Sequence, residues 1–230
     1  MNVSVEDLSR QLADPIAHAA RQSVCRSLAA ALTDVGASLY VGGWLFRDRT
    51  TESLGVVTEM GAELATGAVE LFTQELWYAG TALVRQLIEV EYLTWLFSTD
   101  QTRAAAWLAS TPDETRKRFR PADMRKESAG RFRDSEYQVH CDQGGHPSPR
   151  GRMHLKNHSN PLGTHQGSWV DLAQHLERLW DHLTNALDTY HMSEVVAKEL
   201  RSEVLRLLEE WHRVDQASAP ILLDLGQDGV

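Results

Sequence analysis

Apolar residues recur along this chain at intervals of three and four, and no stretch alternates with a period of two, so the pattern predicts an all-α protein, a bundle of roughly six to eight helices. Ile16, Ala20, Val24, Leu28 and Leu32 mark a first helix, with Asp14 as its cap and Pro15 at the first helical position, running to Gly36. Residues 38–48 are apolar enough to pack but glycine-interrupted, and read as a further short helix. From Thr51, Leu54, Val57, Gly61, Leu64, Ala68 and Leu71 share one face, and the small side chains of Gly61, Ala65 and Ala68 invite close approach of a neighbouring helix. Residues 77–97 are apolar around nearly the whole circumference, which marks a central helix. Ser168, with Asp171 three residues on, reads as the cap of a helix whose stripe is Leu172, Leu176, Leu179, Leu183 and Leu187. Ser193 reads as the cap of a last helix carrying Val196, Leu200, Val204, Leu207 and Trp211.

These elements fit a single helical domain over 1–230: N-terminal helices in 1–50, central helices in 51–110, a basic segment and loop in 111–167, a C-terminal helical pair in 168–215 and a tail in 216–230. The loop, 142–167, is rich in glycine, proline and histidine and has no periodicity. Trp95, Trp107, Trp180 and Trp211 lie on or beside apolar stripes and are expected in the core.

Charge changes the picture locally. The chain carries 23 bases and 32 acids, a formal charge of −9, which disfavours indiscriminate binding to nucleic acid or anionic lipid. Residues 113–133 run the other way, with eight bases against four acids. Arg116, Arg118 and Arg120 there are candidate phosphate contacts, with Phe119 and Phe132 placed to stack on bases; the plainer reading is a solvated helix face. Two cysteines are too few for a disulfide framework, the first ten residues lack the apolar core of a signal peptide, and no apolar run approaches membrane-spanning length. A cytoplasmic protein with no membrane partner is the expectation.

Candidate chemistry falls in three places. Thr81, Arg85 and Glu89 are spaced four apart on the central helix, with Glu91 alone on its other side; the stripe is expected to be largely buried and paired, either as a structural ion pair or as the lining of a polar site. Downstream, Tyr137 and Cys141 share a face, and Gly144 and Gly145 allow a turn that presents His146 ahead of Pro147. Seven of the ten histidines lie between Tyr137 and Tyr190, and Asp171, His175 and His182 share a helix edge that, facing Glu89, makes an alternative transition-metal site. No paired Glu-x-x-His motif supports it, and with that alternative set aside no cofactor is expected. Cys141 beside His140 has no third group to orient an activated thiol.

Arg85, Glu89, Tyr137, Cys141 and His146, within 76–150, form a pattern of Arg-x3-Glu followed by Tyr-x3-Cys and His-Pro. It resembles a group of all-helical bacterial proteins related to the HEPN (higher eukaryote and prokaryote nucleotide-binding) superfamily. The resemblance implies an RNA- or nucleotide-acting component of a defence or toxin system, commonly homodimeric, in which an Arg and a His with four to six residues between them act on the scissile phosphate without metal. Three pairs here have that spacing: Arg133 with His140, Arg152 with His158, and Arg206 with His212. Chance supplies about as many by template counting, so the spacing carries no weight; Arg133 and His140 are the best placed. On this reading Arg85, Glu89, His146, Arg133 and His140 are the catalytic candidates and Arg116, Arg118, Arg120 and Tyr137 bind substrate. The alternatives are a non-catalytic interaction module and a metal-dependent bundle enzyme.

Overall fold

The computed structural model describes residues 15–156 and 161–215 and is all-α, with no strand among the described residues. Five long helices build the bundle: α1 (Pro15–Phe46), α2 (Arg49–Thr73), α3 (Trp77–Thr99), α8 (Pro161–Thr189) and α9 (Lys198–Val214). Between α3 and α8 the chain makes four short helices, α4 (Gln101–Leu108), α5 (Pro112–Arg118), α6 (Pro121–Glu127) and α7 (Asp134–His140), then a π turn (Cys141–Gly145) and a 3-10 turn (Pro149–His154).

The first helix does not stop at Gly36. It runs on through 38–46, so the expected short second helix is the C-terminal part of α1. The glycines there serve packing: a Cβ on Gly55 of α2 would lie 2.4 Å from the Tyr40 backbone nitrogen, and one on Gly43 would lie 2.3 Å from that of Glu52. The backbones of α1 and α2 therefore touch, which compensates the low helix propensity of glycine. Gly61, which the pattern marks for close approach, instead admits Leu179 of α8 and Val90 and Leu87 of α3. Asp48 caps α2 by accepting from the Thr50 amide at 3.0 Å. The expected cap Asp14 and the tail 216–230 lie outside the described residues.

Two other expected caps are corrected. Ser168 is buried inside α8, whose helix already runs from Pro161, because the glycine-containing stretch ahead of it is itself helical. Ser193 precedes α9 by several residues and bonds Asp188 at 2.6 Å, while Ala197, without a side-chain bond, stands at the cap. Both expectations rest on local residue type, which does not by itself place a helix boundary.

α3 is central, packing on α2, α8, α4 and the π turn, and α9 closes against α1. Around α3 and α8, Phe72, Trp77 and Trp169 form a buried aromatic cluster, and Trp95, Trp180 and Trp211 are buried as expected. Arg21 of α1 pairs with Asp215, just past α9, at 3.1 Å, both side chains almost wholly buried. Among the described residues α1 is the one helix long and apolar enough to cross a membrane, contrary to the expectation that no run reaches that length. Its Val24, Leu28, Leu32, Val35 and Leu39 belong to the buried core, while Trp44, Leu45 and Phe46 at its end are exposed.

Candidate functional site

α7 is seven residues long, yet its side chains enter two polar clusters. On one side Tyr137 meets the Arg85 stripe of α3. Arg85 donates through Nη2 to Glu89 Oε1 and to the Tyr137 hydroxyl, both at 2.7 Å, and that hydroxyl donates to Glu89 Oε1 at 2.8 Å. Arg125 from α6 lies over the Tyr137 ring, 4.0 Å from its centroid, and bonds Asp134 at 2.6 Å. The buried Arg85 Nε and Arg125 Nη1 have no hydrogen-bond partner. The π turn seats itself on this cluster. A Cβ on Gly144 would lie 2.7 Å from the Ala82 nitrogen, and one on Gly145 would lie 2.5 Å from Arg85 Cδ.

The expected pair of Arg85 with Glu89 is present, and Thr81 of the same stripe is buried, but burial of the pair is partial: the Arg85 and Glu89 side chains are 21% and 33% exposed. Burial works against the Arg85 charge, but the adjacent Cys141 sulfur and the Glu89 carboxylate outweigh it and raise its pKa. Burial, and then the bond to Glu89, push the Tyr137 hydroxyl up to about 12, so it stays a neutral donor. Cys141 is buried beside Arg85 and is an unpaired thiol, as is Cys25.

On the other side of α7, His140 faces α8. Its Nε2 lies 3.0 Å from both Asp171 oxygens, and its Nδ1 lies 2.8 Å from the Glu136 carbonyl. His175, one turn beyond Asp171, places Nε2 3.4 Å from Asp171 Oδ1 and Nδ1 2.7 Å from Glu91 Oε2. Arg178 holds Glu136 at 2.7 Å. His140 and His175 are buried, and the Asp171 side chain is 30% exposed. Burial opposes a charge on His175, but the Asp171 and Glu91 carboxylates prevail and hold its pKa up at about 10. His140 is raised for the same balance of causes, with Asp171 as its acid, and the two imidazoles hold Asp171 well below the usual carboxylate range against its own burial.

Several candidates stand elsewhere. His146 is exposed, its amide bonded to the Cys141 carbonyl at 2.9 Å, and among the described residues its ring makes no hydrogen bond to Glu89. Arg133 is exposed at the start of α7 while His140 is buried at the end, about 10 Å along the helix axis by a rise of 1.5 Å per residue, so the two do not form a pair. His158 lies outside the described residues; Arg206 pairs with Glu203 and Glu210, and His212 with Glu177. In the basic segment Arg116 pairs with Asp113 and Arg120 with Asp123, and Arg118 lies over Phe119. Phe119 and Phe132 are buried in the core, which corrects their reading as base-stacking platforms. The expected metal edge is corrected twice: His175 faces Glu91 and not Glu89, and His182, with Nε2 4.0 Å from Glu91 Oε1, lies outside the donor group, where His140 takes its place. Sequence reasoning misses Arg125, Glu136 and Arg178. It flags Glu91 only as an isolated charge, and that isolation is the signal of a buried partner.

Comparison of the chain with family models, curated proteins and solved structures returns no significant match.

Proposed function

We propose that this chain acts on RNA, in the defence or toxin role its resemblance to HEPN-related proteins implies, within a reducing cytoplasm. The observation that carries the reading is the partly exposed Arg85 guanidinium at the foot of the turn that leads to the exposed His146. Arg85 and Arg125 both lie against the Tyr137 ring, and two guanidinium charges so close together suit a phosphate. In a phosphodiester cleavage the 2′-oxygen displaces the 5′-oxygen at phosphorus; His146 takes the attacking proton and returns it to the leaving oxygen, and Arg85 neutralises the developing charge. End-labelled single-stranded RNA tests this. The expected result is cleavage that falls by about 10²-fold or more in His146→Ala, in line with general acid–base assistance. Cleavage at the parent rate in folded His146→Ala and Arg85→Gln, or none in the parent, overturns it.

A second reading, a non-catalytic interaction module, is favoured by the saturation of Arg85 Nη2 by Glu89 and Tyr137. On that reading the cluster locks the π turn onto α3, and Arg85→Gln loosens the turn in hydrogen exchange while no RNA activity is found in the parent.

A further inference from the structure

His140, Asp171 and His175 each offer one donor atom, and these atoms lie within 4.8 Å of one another. Their hydrogen-bond partners fix which nitrogen that is. The Glu136 carbonyl and the Glu91 carboxylate can only accept, so both Nδ1 atoms carry the hydrogen and both Nε2 atoms turn to Asp171. Two neutral imidazoles in that tautomer aim two lone pairs at a carboxylate, an arrangement that a positive charge must hold together. Either each ring carries a second proton or one cation sits among the three groups.

We propose that this cluster is a binding site for one divalent first-row transition ion, with His140 Nε2, His175 Nε2 and Asp171 as ligands. The proposal does not rest on the RNA reading. Ligand bonds of about 2.0–2.1 Å place donor atoms on a shared ion roughly 3 Å apart, and the nitrogen-to-carboxylate separations here are 3.0 and 3.4 Å. Anchoring of each ligand imidazole through its other nitrogen, one to a carbonyl and one to a carboxylate, is the support that metal-binding histidines ordinarily have. Two imidazoles with one carboxylate suit zinc, iron(II), cobalt or nickel and not the all-oxygen preference of calcium or magnesium. Charge also closes: a doubly positive ion with two neutral rings balances Asp171 and Glu91, while Glu136 is already matched by Arg178. The partly exposed Asp171 gives the ion a way in, and three protein ligands leave a position for water or a substrate atom.

The test is titration of chelator-treated, tag-free protein with cobalt(II) chloride, read by visible absorption. One saturating band at one equivalent is expected, and zinc should displace it. Asp171→Asn and His140→Gln, each confirmed as folded by far-ultraviolet circular dichroism, should weaken binding by about 10-fold or more, since even outer groups at such sites are worth that much. His182→Asn should leave it unchanged. No saturable band in the folded parent means that protons hold the cluster, and overturns the proposal. A band that survives Asp171→Asn reports exposed histidines, and one lost in His182→Asn reports a different ligand set; either overturns it as well.

Discussion

The two sides of α7 differ in depth and in what that depth demands. Toward α3, Tyr137 joins a guanidinium and a carboxylate that are 21% and 33% exposed, so water screens the pair and each charge tolerates loss of the other. Toward α8, Glu91 and His175 are 1% and 2% exposed, and each has protein groups rather than water as its other neighbours, Asp171 at 3.4 Å for His175 and His182 at 4.0 Å for Glu91. Two ion pairs with the same 2.7 Å separation therefore have different energetic weight. Distance alone does not rank them; access to water does.

The largest effect that sharpens this comparison should come from Glu91→Ala. It leaves the buried His175 Nδ1–H without an acceptor and Asp171 as the one carboxylate on the ring, and should lower the unfolding free energy by about 3 kcal/mol, measured by urea denaturation. A loss as small as that of a surface pair would erase the distinction between the two sides. Next comes Gly144→Ala, which pushes a methyl group to 2.7 Å from the Ala82 nitrogen of α3, backbone that cannot step aside. It should cost about 1–3 kcal/mol by overpacking, with faster hydrogen exchange across the π turn. Arg85→Ala should cost about 1 kcal/mol, well short of the penalty for stranding a charge that has no access to water. If it matches Glu91→Ala in the same denaturation series, the open side is not open. Smallest should be Arg116→Ala, within about 0.5 kcal/mol of the parent in thermal melts, because its pair with Asp113 lies on the exposed face of α5.

The helical content and the Arg85 cluster are legible because both are written in short spacings. Arg85 and Glu89 are four apart in an apolar helix, and that alone predicts a pair. The other cluster is legible only in fragments. Asp171 and His175 are also four apart, but the choice between Glu89 and Glu91 as their partner depends on the rotation of α3. Two residues turn a helix by about 200°, so the two carboxylates face opposite ways, and nothing local says which way α8 lies. His140 and Asp171 are 31 residues apart and meet only because the chain between them reverses and brings α7 back against α8. Ser168 misleads for the converse reason. A serine with an acid three residues on is a local signal, and the helix that overrides it begins seven residues earlier at Pro161.

Arg21 and Asp215, buried together and 194 residues apart, bear on the order in which the core closes. A contact of that separation forms only when the intervening helices have brought α9 back to α1, so the cation at the N-terminal edge of α1's buried face reaches its native site among the last parts of the core, after the local packing of α1 on α2.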